Sequence, residues 1–167
     1  MTRVVLFVCT GNVCRSPIAA ALLNVKAHRE GDESKIVARS AGTWAMENQP
    51  ASGHAITVMA EHGVNLAAHR GHTITRANLA EAAVVIVMTR NHRDALAAEF
   101  PESRHKLHLM SELKDRTFDI SDPYGGILSE YQRCAQELID LIENGYGKII
   151  SWVSEGSLEA PTEKHPV

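Results

Sequence analysis

The chain has 167 residues, of which 44% are hydrophobic and 22% are charged, and its formal net charge at pH 7 is −3. This length and composition are typical of a single globular domain and exclude a disordered chain or a fibre. The slight acidic excess argues against the basic surface that binds nucleic acid, so no nucleic-acid partner is expected. Three cysteines are too few for a disulfide scaffold, and they favour a reducing, cytoplasmic compartment.

A buried strand and a helix are the first predicted elements. Residues 3–8 form a run of apolar, mostly β-branched side chains, which is the pattern of a strand buried on both faces. The run is too short for the apolar region of a signal peptide or for a membrane span, so we expect no membrane association. Ser16 and Pro17 predict the start of a helix that extends to about Arg29, with Ser16 as its hydroxyl cap.

Strands and helices continue to alternate along the rest of the chain. Hydrophobic periodicity predicts strands over residues 35–42, 83–88 and 106–110, and helices over residues 50–63, 73–82, 90–100 and 126–143. This alternation indicates an α/β fold with a mostly parallel sheet covered on both faces. We expect one domain over residues 1–150 and a flexible or loosely docked tail over residues 151–167. Ligands of such sheets bind at the carboxyl ends of strands, so the loop after the first strand is the candidate ligand site.

That loop has the composition of a phosphate-binding site. Gly11 and Asn12 tolerate left-handed backbone angles, so the turn can direct successive N–H groups inward around an anion. The following helix adds its positive end, and Arg15 adds a planar fork that can hold two phosphate oxygens. In these surroundings we expect Cys9 to be a thiolate at neutral pH. The predicted phosphate-binding residues are Thr10, Gly11, Asn12, Val13, Cys14 and Arg15.

A metal site is the main alternative for the two cysteines of this loop. A Cys-x4-Cys pair can be half of a metal site, but no second Cys/His pair with suitable spacing accompanies it. His54 with His62, or His69 with His72, would become ligands only if the fold happened to bring them to the loop. Two structural thiols beside a tight turn are a further alternative. We therefore predict no metal and no cofactor.

The stretch VCTGNVCRSP (residues 8–17) resembles the active-site signature of the low-molecular-weight protein tyrosine phosphatase family over its full Cys-x5-Arg-Ser-Pro length. The resemblance continues at RSAGT (39–43), HR (69–70) and DPYG (122–125), in the same order along the chain. It implies a three-layer fold of the flavodoxin-like, phosphotyrosine phosphatase I type, with a four-stranded parallel sheet flanked by helices. It also implies a metal-free protein phosphatase that uses a cysteine nucleophile.

Such a reaction needs an acid as well as a nucleophile, because the leaving group must be protonated. Asp122 matches the acid of the family, whereas Asp115 and Asp119 are nearby rivals and an Asp-Pro turn is the simpler structural role. The predicted reaction has two steps. Cys9 is first phosphorylated while Arg15 stabilises the phosphoryl oxygens, and water then hydrolyses the phosphocysteine with Asp122 as base.

The resemblance also implies residues that support the loop. In the family pattern Asn12 holds the loop in shape through hydrogen bonds with side chains that match Ser16, Ser40 and His69 here. Ser16 would in addition donate a hydrogen bond to the Cys9 sulfur. His69 taken alone would more simply be a surface or capping group.

The expected substrate is a protein that carries phosphotyrosine. Trp44 and Tyr124 match loop aromatics that grip a flat substrate in the family. DPYGG followed by a helix with EY resembles a bacterial subgroup that hydrolyses protein phosphoarginine, in which a threonine occupies the position of Val13. A hydrophobic residue there resembles the tyrosine-specific members, so phosphoarginine is the alternative. We expect the protein to be a monomer or a weak dimer.

Two other functions receive less support. Thiol-dependent arsenate reduction needs a relay of thiols, and no cysteine pair lies at residues 80–95, where relatives with that activity carry resolving thiols. A binding module without turnover is disfavoured because both Cys9 and Asp122 are present. Cys14 resembles the family's partner thiol and could form a reversible disulfide with Cys9, whereas Cys134 is expected to pack in the core.

Overall fold

The computed structural model describes residues 1–156 and has the three-layer α/β fold that the sequence predicts. Its strands are β1 (Arg3–Cys9), β2 (Ile36–Gly42), β3 (Ala82–Val87) and β4 (Leu107–Leu109). They form a four-stranded parallel sheet in the order β2-β1-β3-β4. The helices of this part of the chain are α1 (Arg15–Glu30), α2 (Gly53–Glu61), α3 (Arg76–Glu81), α4 (Arg90–Glu99) and α5 (Leu128–Glu155), with 3₁₀ helices at Pro101–Lys106 and Met110–Lys114. Across residues 1–156, no helix combines the length and apolar character needed to cross a membrane.

Both faces of β1 are buried, as its apolar run predicts. Val5 and Phe7 pack in the larger core cluster, beneath α1, α2 and α5. Val4 and Leu6 point to the opposite face and pack in the second cluster with residues of α3 and α4. Successive side chains of a strand alternate between faces, so a strand covered on both sides is apolar throughout.

The loop after β1 lies at the carboxyl edge of the sheet, between β2 and β3. The last residue of β1, Cys9, is paired with Gly42 at the end of β2. A Cβ at Gly42 would clash with the backbone oxygen of Thr10, so glycine is needed where the loop passes over this strand end. β1 is central in the sheet and its neighbours run parallel to it, which makes this edge the crevice where α/β proteins bind ligands.

Side-chain caps set several helix boundaries. Thr89 caps α4, because its hydroxyl accepts from the His92 N–H at 3.1 Å. The prediction that Pro50 opens α2 is wrong by three residues, since the Ser52 hydroxyl accepts from Ala55 N–H and the helix begins at Gly53. The local hydrogen bond of the cap, rather than the proline, fixes the start of this helix.

The last helix is longer than the sequence predicts, and the predicted tail is wrong for residues 151–155. The glycines of the stretch ENGYGK suggest a break, but a Cβ at Gly145 would lie 2.7 Å from the Leu113 Cβ. Gly145 therefore permits close packing within a continuous helix. Beyond it, Trp152 is buried and its ring stacks on His108 with centroids 3.9 Å apart. The remainder of the predicted tail, residues 157–167, lies outside the described residues.

The docked end of α5 makes a measurable contribution to stability. Trp152→Ala removes a side chain that is only 9% exposed, and we expect the free energy of unfolding to fall by about 3–5 kcal/mol. Ser151→Ala, an exposed change one residue earlier in the same helix, should alter it by less than about 0.5 kcal/mol. Urea denaturation of both variants measures these values, and equal stabilities would contradict the packing of this segment.

Candidate active site

The carbonyl groups of the loop face outward and are held there by neighbouring segments. Thr10 O accepts from Trp44 N–H at 3.0 Å, and Val13 O accepts from Ser52 N–H at 2.9 Å. Asn12 O accepts from the His69 ring Nε2 at 2.7 Å. In a trans peptide the N–H group points opposite to the C=O group, so the N–H groups of residues 11, 13 and 14 face the interior of the loop. Among residues 1–156, none of these N–H groups donates to another protein group.

Asn12 is the residue that holds the bend of the loop. It is fully buried and has a left-handed backbone with φ of 57°, which asparagine tolerates, whereas Gly11 does not use its freedom to adopt a positive φ. The Asn12 Nδ2 donates to Ser16 Oγ at 2.8 Å, and its Oδ1 accepts from His72 N–H at 3.1 Å. Ser40, expected to share this network, makes no hydrogen bond with Asn12 within residues 1–156, where the Asn12 side-chain oxygen accepts from the His72 backbone instead.

Ser16 contacts the candidate nucleophile and does not cap the helix. Its Oγ lies 2.9 Å from the Cys9 sulfur and 3.3 Å from Ala41 O. The residue at the N-cap of α1 is Cys14, which makes no side-chain capping bond, so the prediction of a Ser16 cap is wrong. The Ser16 hydroxyl thus contacts the Cys9 sulfur instead of a backbone N–H group at the start of α1.

Arg15 is a buried cation with a fixed orientation. Its side chain is 5% exposed, one guanidinium nitrogen donates to Ile120 O at 2.8 Å, and the other lies 3.4 Å from Asp122 Oδ2. The remaining nitrogen, Nε, is buried and has no hydrogen-bond partner among residues 1–156. A buried, unpaired N–H of a charged group is costly unless an acceptor completes it.

Asp122 is the only one of the three candidate acids that faces the loop. Its Oδ1 accepts from Tyr124 N–H at 3.1 Å, so it also forms the turn expected of Asp-Pro. Asp119 instead pairs with Arg90, and Asp115 pairs with Lys148. Neither rival lines the cavity above the loop.

A cavity of about 660 Å³ opens above the loop and contains the predicted residues. Cys9, Val13 and Arg15 are among the residues that line it. Trp44 and Tyr124 stand at its mouth with 85% and 69% of their surfaces exposed. Both aromatic side chains are therefore accessible at the cavity, and their role as substrate walls stays a prediction. Within the described part of the chain, no group of His, Cys, Asp or Glu side chains has the arrangement of a metal site.

The other two thiols occupy protected environments. Cys14 Sγ lies 3.3 Å from Ser52 Oγ and 3.5 Å from Tyr131 Oη, and burial raises the pKa of its thiol. Burial also raises the pKa of Cys134 to about 12, so this thiol packs in the core as a neutral group. Cys9, Cys14 and Cys134 are all unpaired. Redox pairing of Cys9 with Cys14 stays a prediction.

Sequence reasoning missed His92, which contacts the loop from α4. Its Nε2 lies 2.8 Å from Thr10 Oγ1. Burial lowers the pKa of His92 to about 4, and the Arg15 guanidinium acts in the same direction. The only local signal was its place three residues after the Thr89 cap, which does not reveal a contact with a residue 82 positions away.

Comparison with known proteins decides the family. The model of the low molecular weight phosphotyrosine protein phosphatase family matches residues 4–156. The chain belongs to this family. It is therefore a phosphatase that acts on phosphorylated proteins, and the resemblance of its loop is confirmed.

Relatives of this phosphatase carry two kinds of name. A protein-arginine-phosphatase from Geobacillus stearothermophilus is 41% identical over 140 residues, which are 83% of this chain and 90% of that protein. A probable low molecular weight protein-tyrosine-phosphatase, EpsP of Ralstonia nicotianae, is 30% identical over 153 residues, 92% and 95% of the two chains. The solved low molecular weight protein tyrosine phosphatase from T. tengcongensis has a TM-score of 0.83 and 36% identity, covering 88% of this chain and 99% of its own.

The role of Asn12 in this phosphatase can be measured against a matched residue. We expect Asn12→Ala to lower the free energy of unfolding by about 2–4 kcal/mol, because it leaves buried hydrogen-bonding groups unpaired and strains a left-handed residue. Asn48 is also left-handed, with φ of 62°, but it is exposed. Asn48→Ala should therefore lower the free energy of unfolding by only about 1 kcal/mol, which is the cost of holding alanine in a left-handed backbone conformation. Equal losses in urea denaturation would contradict the proposed network.

Proposed function

We propose that this phosphatase hydrolyses protein phosphotyrosine through a phosphocysteine formed on Cys9. The single observation that carries the proposal is the set of outward carbonyl groups, which leaves the loop N–H groups to surround an anion above the Cys9 sulfur. The partnerless Nε of Arg15 supports the same conclusion, because a phosphoryl oxygen would be its acceptor.

In the first step the Cys9 thiolate attacks phosphorus, and the bond from phosphorus to the phenolic oxygen breaks. Asp122, protonated at this stage, gives its proton to the leaving oxygen. Its position 3.4 Å from the Arg15 guanidinium supports this role, since it lies beside the group that would hold the phosphoryl oxygens. The Ser16 hydroxyl lies 2.9 Å from the sulfur, close enough to donate a hydrogen bond to the attacking thiolate.

In the second step water attacks the phosphocysteine, and the bond between phosphorus and sulfur breaks. The Asp122 carboxylate takes a proton from the water, which restores the acid, and the electron pair of the broken bond returns to Cys9 as thiolate. Arg15 and the loop N–H groups stabilise the charge on the phosphoryl oxygens in both steps. The positive charge needed for the reaction thus comes from the protein.

The walls of the cavity favour a neutral aromatic leaving group. Trp44 and Tyr124 offer flat surfaces for a phenolic ring, and Val13 adds an apolar side chain to the lining of the cavity. Asp122 is the only carboxylate that lines the cavity in the described part of the chain. A cationic guanidinium group would meet few compensating charges there.

Phosphoarginine is the second candidate substrate. It is favoured by the 41% identity with the protein-arginine-phosphatase of Geobacillus stearothermophilus. The substitution of Val13 for the threonine of that subgroup weighs against it, because the hydroxyl that could bond a guanidinium group is missing. We further propose that the substrates are cytoplasmic proteins, since a thiolate nucleophile works in its reduced form and all three cysteines are free.

Turnover of two matched peptides, one with phosphotyrosine and one with phosphoarginine, tests this proposal. We expect a higher kcat/KM for the phosphotyrosine peptide. Cys9→Ser should lower kcat by about 10⁴-fold or more. Val13→Thr should shift the preference toward phosphoarginine by about tenfold, the scale of one added hydrogen bond.

The outcomes separate the parts of the proposal. Turnover that survives Cys9→Ser would contradict the nucleophile, whereas a phosphoarginine preference in the unaltered protein would contradict only the substrate. Ser121→Ala, an exposed change beside Asp122, is the control and should leave both rates unchanged.

A further inference from the structure

His92 reaches the phosphate loop from a different element of the fold. It lies in the first turn of α4, where the Thr89 cap fixes its backbone. Its side chain is buried, with 7% of the residue exposed, and Nε2 lies 2.8 Å from Thr10 Oγ1. Thr10 follows Cys9 directly and lines the cavity. The two residues are thus joined by a short hydrogen bond at the edge of the site.

The position of the ring proton follows from the surroundings of the two nitrogens. Burial lowers the pKa of His92 to about 4, so the ring is neutral and carries one N–H at neutral pH. Nδ1 is buried and has no hydrogen-bond partner among residues 1–156. An unpaired acceptor costs less than an unpaired buried donor, and unpaired donors are rare in proteins. The proton therefore belongs on Nε2, which donates to Thr10 Oγ1.

This assignment determines the direction of the Thr10 hydroxyl. Because its oxygen accepts from His92, its own proton is not used in that bond. Within residues 1–156, the Thr10 hydroxyl makes no other hydrogen bond. Thr10 is exposed to the cavity, so the proton is available to an oxygen atom of a ligand there.

We propose that His92 is a positioning residue, which holds the Thr10 hydroxyl so that its proton is donated to a phosphoryl oxygen of the bound substrate. The proposal rests on the proposed function, since it concerns the same phosphate loop. The Thr10 hydroxyl would add one side-chain donor to the ring of loop N–H groups. It would stabilise the negative charge that develops on the phosphoryl oxygens during the transfer. No other segment needs to move, because the loop and α4 are both fixed by backbone hydrogen bonds.

Steady-state kinetics on a double-mutant cycle tests this proposal, with p-nitrophenyl phosphate as the substrate. Thr10→Val removes the hydroxyl at nearly constant shape, and His92→Leu removes the donor. Each change should lower kcat about tenfold while KM changes less than about threefold, as expected for one hydrogen bond that matters mainly in the transition state. The double variant should be no slower than Thr10→Val alone, because His92 acts through Thr10.

Conservative variants separate positioning from a structural role. His92→Gln retains a donor near the position of Nε2, and Thr10→Ser retains the hydroxyl, so both should keep kcat within about threefold of the unaltered protein. Asn91→Leu, an exposed neighbour of His92 on α4, is the matched control and should have no effect. If His92→Leu does not fold, His92→Gln and the two Thr10 variants still provide the comparison.

The result is decisive in either direction. Losses that multiply in the double variant, or a His92→Gln variant as slow as His92→Leu, would overturn the proposal. Variants of His92 that lose thermal stability but keep kcat would also overturn it. If the unaltered protein does not hydrolyse p-nitrophenyl phosphate at all, the proposed function fails. If it does, and the His92 and Thr10 variants hydrolyse it at the same rate, only the proposal for His92 fails.

Discussion

The orientation of a few peptide groups is the constraint on which the rest of the site depends. The loop between β1 and α1 turns its carbonyl groups outward because Trp44, Ser52 and His69 supply donors to them. Each peptide unit is planar and trans, so its N–H group points opposite to its C=O group and therefore faces inward. Asn12 makes this path possible by adopting a left-handed conformation and by filling the buried space behind the bend. The proposed anion site is thus preorganised by the protein itself.

The fold explains why this arrangement can be rigid. β1 is central and buried on both faces, so the start of the loop is fixed by the core, and the first turn of α1 fixes its end. Arg15 is held by Ile120 O, and the neighbouring Ile120 N–H donates to Met88 O at the end of β3. Thus the segment that carries Asp122 is tied to the same sheet edge as the loop. The proposed nucleophile, cation and acid are thereby held close together, which is the condition for efficient catalysis by positioning.

Local patterns predicted much of this site, and long-range contacts explain what they missed. The apolar run at residues 3–8 predicted a strand buried on both faces, and the structure has it. The phosphate site that the composition of the loop indicates stays a prediction. Ser16 satisfies the local rule for a helix cap, but its hydroxyl contacts the sulfur, which the rule cannot anticipate. Gly145 satisfies the rule for a helix break, yet Leu113 packs against it. His92 has no local signal at all, because its partner Thr10 lies in a different segment of the chain.

The most direct test of the proposed reaction is mass spectrometry of the Asp122→Asn protein, mixed with p-nitrophenyl phosphate and denatured within milliseconds. The nitrophenolate leaving group needs no proton from residue 122, so loss of Asp122 slows mainly the second step and the intermediate should accumulate. We expect the added mass of one phosphoryl group on the peptide that contains Cys9, and none on that peptide in the Cys9→Ala, Asp122→Asn protein. Turnover without any phosphorylation of Cys9, or phosphorylation of a different residue, would contradict it.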